Sequence, residues 1–194
     1  AGAMARWSEA LLRCELVAAG ATLARRGLIR HAEGNISCRL DARRILITPR
    51  GVAKGLLTSP ELVVCELGAA PPAAASSEVH LHLEVYRRIP LVAALVHAHP
   101  AALLALEHRG RLPDPRDLGE GEQLVGSVAL VAAHRPGSDE LARACAAALT
   151  ESPVAVMSRH GVVAWGHDLQ EALGRVEAVE LLAEVALAGT AGPS

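Results

Sequence analysis

Three imidazoles, drawn from two apolar segments, carry the most direct chemistry in this chain. His97 and His99 stand two apart in Leu95-Val96-His97-Ala98-His99-Pro100, at the end of an apolar run. A strand that begins near Val92 and continues through them puts both rings on one face, with Cα atoms roughly 6.5–7 Å apart at about 3.3 Å per residue. Two imidazoles at that spacing can converge on one cation. Pro100 lacks an amide hydrogen and its fixed φ suits the opening of a helix, so the pair is expected at a strand-to-helix junction. Open α/β sheets place ligands at such junctions. A lone His-x-His is also what hydrogen-bonded core or surface histidines look like. His160 shifts the balance. It sits in Ser158-Arg159-His160-Gly161, just after the apolar run Val154 to Met157. A third ring nitrogen from a second strand end completes a set with open coordination positions, as in catalytic rather than closed structural zinc sites. Imidazole ligands favour a transition metal without choosing one.

The elements that must hold these groups follow from periodicity and turn chemistry. Apolar residues at helical spacing from Trp7 to Arg26, with Ser8 and Glu9 at the start and Gly27 at the stop, predict a first helix. Gly34-Asn35-Ile36-Ser37 reads as a turn entering a strand at Cys38 to Leu40. Its glycine could admit a ligand to the backbone, and its Asn and Ser could bind one, but an ordinary hairpin signal explains it as well. Arg44 to Ile47 is a strand that enters Thr48-Pro49-Arg50-Gly51, either a simple turn or an anion-binding nest with an added guanidinium. Leu62 to Leu67 is a further strand. Ser76-Ser77-Glu78 precedes an amphipathic run from Val79 to Ile89 and is expected to cap it. The same groups could bind phosphate or supply a carboxylate base. His80 and His82 lie on that helix, do not share a face, and are read as supporting or surface residues.

Beyond the histidine pair, residues 100–108 predict a helix and the polar stretch 110–126 a loop. Strands are expected at 127–132, 154–157 and 162–165. Helices follow Ser138 and Asp168, the last reaching about Leu187. Strands interleaved with helices over the whole length indicate a layered α/β domain, with no linker or internal repeat dividing residues 1–194.

Composition narrows the classes of function. The chain has 194 residues, 51% of them hydrophobic, which suffices for a substantial core. Lys and Arg number 19 against 21 Asp and Glu, and aromatics make up 2% with no Phe. Neither a basic footprint nor a stacking platform for nucleic acid is present, nor a basic face for an anionic membrane. No apolar run reaches the length of a bilayer span, and Ala1-Gly2-Ala3-Met4, with no charged region ahead of an apolar one, is not expected to begin a signal peptide. The four cysteines, 14, 38, 65 and 145, are widely separated, which fits buried thiols in a reducing compartment. A soluble cytoplasmic protein is expected.

Taken in order, Gly34-Asn35-Ile36-Ser37, Ile47-Thr48-Pro49-Arg50-Gly51, Ser76-Ser77-Glu78, His97-Ala98-His99-Pro100 and His160-Gly161 closely resemble the class II aldolase/adducin family, in particular its L-fuculose-phosphate aldolase type. The resemblance covers roughly Trp7 to Leu187. It implies a three-layer α/β/α sandwich with a mixed, mostly antiparallel sheet, assembled as a homotetramer with sites between subunits. It implies His97, His99 and His160 as ligands of Zn2+, with Co2+, Mn2+ or Fe2+ as alternatives. Asn35, Thr48, Gly51, Ser76 and Ser77 match positions that hold a substrate phosphate, and Glu78 matches an acid/base carboxylate. The implied reaction is retro-aldol cleavage of a ketose 1-phosphate through a metal-stabilised enediolate, with the metal as Lewis acid and Glu78 moving the proton. Related chemistry serves dehydration of methylthioribulose-1-phosphate, 4-epimerisation and decarboxylation. An adducin-like scaffold without catalysis is the reading from another class. The sequence departs from the aldolase pattern in two places. The loop after strand 127–132 reads Ala132-Ala133-His134-Arg135-Pro136 where the aldolases carry a proton-donating tyrosine, so His134 is the candidate replacement. Arg50 stands where Ser or Thr is common.

Overall fold

The computed structural model describes residues 8–189; the first residues, Ala1-Gly2-Ala3-Met4 and Trp7 among them, and the end of the tail lie outside that range. Seven strands form one sheet: β1 (Asn35–Arg39), β2 (Arg44–Ile47), β3 (Val63–Glu66), β4 (Ala94–Ala98), β5 (Val128–Val131), β6 (Val154–Met157) and β7 (Gly161–Gly166). Their order is β3-β2-β1-β4-β7-β6-β5. Every neighbouring pair is antiparallel except β5 with β6. Six helices accompany them: α1 (Glu9–Arg25), α2 (Val79–Arg88), α3 (Ala101–His108), α4 (Gly121–Val125), α5 (Asp139–Glu151) and α6 (Leu169–Ala188).

Alternation along the strands sorts the core into two layers. Val96 and Ala98 of β4, Val154 and Val156 of β6, and Val162 and Ala164 of β7 pack with Leu16 and Leu23 of α1, Leu103 and Leu106 of α3, and Val176 and Val179 of α6. The intervening Leu95, Ala155, Met157 and Val163 face the opposite way, against Leu83 and Tyr86 of α2 and Leu141, Cys145 and Leu149 of α5. Period-two side-chain direction on a sheet covered on both sides yields the expected α/β/α sandwich. β4 is central and buried at all five residues, which is why it reads as an unbroken apolar run.

Local differences from the sequence reading have physical causes. β1 begins at Asn35 rather than Cys38, because Asn35 pairs with His97 and Ile36 with Val96 of β4. Gly34 permits this pairing: its φ is +67°, and a Cβ there would lie 2.6 Å from the His97 carbonyl oxygen. The stretch 110–126 is not all loop. A Pro115–Asp117 turn and α4 lie within it, and Val125 is buried against the α6 layer. α2 is preceded not by a serine cap but by Glu78 in the cap position; the Ser76 hydroxyl accepts instead from the Glu78 amide at 3.3 Å. Cysteines 38, 65 and 145 are buried free thiols, whereas Cys14 is exposed. Among the described residues no helix is long and apolar enough to cross a membrane.

Candidate metal and catalytic site

The three histidines meet. One ring nitrogen from each of His97, His99 and His160 lies within 4.8 Å of the others. β4 delivers His97; His99 follows one residue beyond the strand, where its amide donates to the Leu28 carbonyl. Pro100 caps the start of α3, as the strand-to-helix reading requires. His160 comes from the three-residue hairpin between β6 and β7, whose strands pair Met157 with Gly161. Gly161 allows the approach. A Cβ on it would sit 2.4 Å from the Ala98 carbonyl oxygen and 2.6 Å from the His99 ring.

Hydrogen bonds fix the useful tautomer of His97. Its Nδ1 is 2.9 Å from the Val162 carbonyl, which can only accept, so Nδ1 carries the proton and Nε2 keeps a lone pair. That Nε2 lies 3.0 Å from His99 Nε2 and 3.0 Å from Glu78 Oε2. His160 Nε2 lies 3.3 Å from the other Glu78 oxygen, Oε1. Lone pairs and a carboxylate facing one another need a cation between them. A proton can serve in the metal-free protein, and a divalent metal fits the same donor set. Buried Glu78 Oε1 and His160 Nδ1 have no hydrogen-bond partner among the described residues, so the polar groups at this point are not saturated by the protein itself.

Electrostatics agree with a site built to hold positive charge. Burial pushes the Glu78 carboxyl up, but His97, His160 and Asn35 together hold it well below the usual carboxylate range. Burial would lower His97, yet the Glu78 carboxylate beside it raises it overall. Burial, with the other two rings, pushes His99 down to about 3, so it is neutral and available as a ligand at physiological pH.

Behind Glu78 runs a buried polar chain. Asn35 Nδ2 donates to Glu78 Oε2 at 2.9 Å, and Asn35 Oδ1 is 2.5 Å from His82 Nε2. His82 Nδ1 is 2.6 Å from Ser37 Oγ, which is 3.0 Å from the Tyr86 hydroxyl. With the Asn35 amide donating to the carboxylate, its oxygen must accept. His82 therefore donates from Nε2 and accepts from Ser37 at Nδ1, and Ser37 accepts from Tyr86. Burial holds His82 neutral, down at about 3, as this arrangement requires. His82 was legible only as a supporting or surface residue, and it proves fully buried, while His80 is exposed. The spacing signal was there: His82 and Tyr86 are four apart on α2, one face of a helix.

The remaining candidates differ in access. Thr48 is fully buried; its hydroxyl accepts from the Ile36 amide and its carbonyl from the Ser76 amide. Pro49 bridges to Ala75, which brings the Arg50-Gly51 turn beside the Ser76-Ser77 turn. Ser77, Arg50 and Gly51 are exposed, and Gly51 has φ +72°. His134 is exposed on the loop after β5 and, among the described residues, takes part in none of the triad's hydrogen bonds or ion pairs. The same loop does reach the serine turn: a Cβ on Gly137 would lie 3.0 Å from the Ser77 carbonyl oxygen.

Fold and site together define an α/β/α protein with a three-histidine candidate metal centre and an adjoining carboxylate at one end of its sheet. The chain belongs to the family described as Class II Aldolase and Adducin N-terminal domain, whose model matches residues 14–187. A methylthioribulose-1-phosphate dehydratase of Acidiphilium cryptum is 34% identical over 183 residues, covering 87% of this chain and 86% of the relative. A 3-oxo-tetronate 4-phosphate decarboxylase of Haemophilus influenzae is 32% identical over 180 residues, covering 88% and 84%. The crystal structure of L-fuculose-1-phosphate aldolase from Thermus thermophilus superposes with a TM-score of 0.86 at 33% identity, covering 95% of this chain and 99% of that one.

Proposed function

We propose that the chain is a divalent-metal-dependent lyase that cleaves a ketose 1-phosphate of the fuculose-1-phosphate type by a retro-aldol reaction. The observation that carries this reading is the convergence of His97 Nε2, His99 Nε2 and the Glu78 carboxylate on one buried point, with His160 Nε2 closing the fourth side. A metal held by the three imidazoles supplies Lewis acidity toward a carbonyl oxygen. Glu78 adds or removes the proton on the carbon next to that carbonyl. The Asn35 amide presents its carboxylate in one orientation, so proton transfer needs no prior rotamer search.

The phosphate is assigned to the paired turns. Ser77, Gly51 and Arg50 offer exposed groups, and Thr48 and Ser76 support them from beneath. Both buried hydroxyls still carry a proton to donate, and Asn35 Nδ2 has a second N–H besides the one given to Glu78. The assembly proposed is a homotetramer with sites between subunits, and His134 is the candidate second proton carrier.

A second reading, dehydration of a ketose 1-phosphate such as methylthioribulose-1-phosphate, is supported by the 34% identity to a dehydratase of that substrate, and the loop tyrosine of the aldolase pattern is missing here. Tyr86 is the one tyrosine in the chain, and it is buried behind the site, so the loop after β5 has none to offer. Both reactions use Glu78 at the same carbon. They differ at the next hydroxyl, which loses its proton in retro-aldol cleavage and gains one to leave as water in dehydration.

Metal-loaded protein should be screened against fuculose-, ribulose-, deoxyribulose- and methylthioribulose-1-phosphates, with products identified by mass spectrometry. Two shorter fragments support the aldolase reading, loss of the mass of one water the dehydratase. No turnover of any member overturns both. Glu78→Gln should keep its metal and lose turnover by on the order of 10²-fold or more; surviving turnover removes Glu78 from proton transfer. His134→Ala with unchanged kinetics removes that residue.

A further inference from the structure

We infer that Glu107 is a positioning residue for the third metal ligand: its carboxylate brackets the turn that presents His160. This rests on the metal reading above. The three ligands are oriented in different ways. The His97 ring is held through Nδ1 by the Val162 carbonyl, and His99 Nδ1 faces Glu33 Oε2 at 3.8 Å. His160 Nδ1 is buried and has no hydrogen-bond partner among the described residues. Its ring is therefore not steered through the second nitrogen, which is how metal-bound imidazoles are ordinarily held. The orientation of this ligand has to come from its backbone.

That backbone is in an unfavourable conformation. The His160 amide donates to the Met157 carbonyl at 3.0 Å, and between them Arg159 has φ +57°, a left-handed conformation ordinarily left to Gly or Asn. Glu107, on α3 and far away in sequence, accepts from Ser158 Oγ at 2.6 Å through Oε1 and from the Arg159 amide at 3.2 Å through Oε2. One carboxylate thus grips the two residues that precede the ligand. α3 is itself anchored, since Glu180 of α6 accepts from the Ala102 and Leu103 amides at 2.9 and 2.8 Å. The helix that starts directly after His99-Pro100 therefore also sets the place of His160, coupling the two ligand segments.

The probe is Co2+, titrated into metal-free protein and followed by visible absorption, with thermal melts of the metal-free forms alongside. Glu107→Ala should weaken Co2+ binding on the order of 10-fold, within the range for groups that support ligands. Glu107→Gln should weaken it less, because its amide oxygen still accepts one bond. Adding Arg159→Gly to Glu107→Ala should restore most of the affinity, since glycine adopts the positive φ without help. A purely structural role predicts a lower melting temperature with Co2+ affinity unchanged, and that result overturns the inference. So does a loss of affinity that Arg159→Gly does not relieve. Should Glu107→Ala not fold, Glu107→Gln and Ser158→Ala decide on the same readout. Wild-type protein that binds no Co2+ overturns the metal reading and this inference together. Wild type that binds, with His160→Ala weakened and Glu107→Ala not, overturns this inference alone.

Discussion

His82 shows how a side chain outside the three-histidine group can still orient the carboxylate beside it, through Asn35. It is fully buried between Asn35 Oδ1 and Ser37 Oγ, and its two nitrogens are matched to them as donor and acceptor. Replacing it with leucine strands both partners in an apolar layer. Each unsatisfied group costs about 1–3 kcal/mol, so His82→Leu should lose several kcal/mol of stability in urea denaturation. His80→Ala, on the same helix but exposed, should stay within about 0.5 kcal/mol of wild type. Equal effects from the two would mean that the polar chain behind Glu78 contributes nothing. The Glu78 carboxylate would also lose its fixed orientation, because the Asn35 amide is free to flip once its oxygen has no donor.

At the level of elements, the site depends on close approach between β4 and the β6–β7 hairpin, and glycine is what permits it. Gly161→Ala places a methyl group 2.4 Å from the Ala98 carbonyl oxygen, in backbone that cannot move without disturbing both ligand segments. A cost of about 1–3 kcal/mol, as for overpacking elsewhere, together with loss of Co2+ uptake is expected. Gly174→Ala within α6 meets nothing within 4 Å and should instead stabilise by roughly 0.5–1 kcal/mol through helix propensity. Denaturant melts of the two variants, read in opposite directions, check the assignment. A Gly161→Ala protein as stable and as metal-competent as wild type would contradict this packing. Most elements were legible, because their apolar periods survive burial: β4, β6, β7 and the helices after Ser138 and Asp168 lie within a few residues of where composition and caps put them. α4 was not legible. Its five residues carry too few apolar positions to show a period, and only packing against the α6 layer holds them in a helix.

For the molecule as a whole, metal should act as a stabilising ligand that joins distant segments. A cation present at about 100 times its Kd adds about 2.7 kcal/mol. For a chain of this size that corresponds to a rise of about 5–10 °C in Tm. Removing metal with a chelator should reverse the shift, and His97→Ala should abolish it while leaving the chelated form's secondary structure intact by circular dichroism. A melting temperature insensitive to both chelator and Zn2+ would remove the centre from the folded molecule's energetics. The two halves of that centre come from one strand end and one hairpin far apart in the chain, so any cation bound there cross-links the sheet at β4 and β7.

The sequence by itself determined the residue types, their order, and the interleaving of strands and helices that makes a layered α/β domain, because those are properties of neighbours along the chain; the three-layer sandwich followed from the family resemblance. It also marked His97, His99, His160 and Glu78 as one chemical set, through motifs that occur in family order. Only the tertiary structure decided which nitrogen of His97 is free, that His82 and Tyr86 stand behind the carboxylate, and that Glu107 holds the His160 turn. The last three are contacts between residues 47, 49 and 51 positions apart. Hydrogen-bond partners across such separations are chosen by strand order and helix placement, and no periodicity records them.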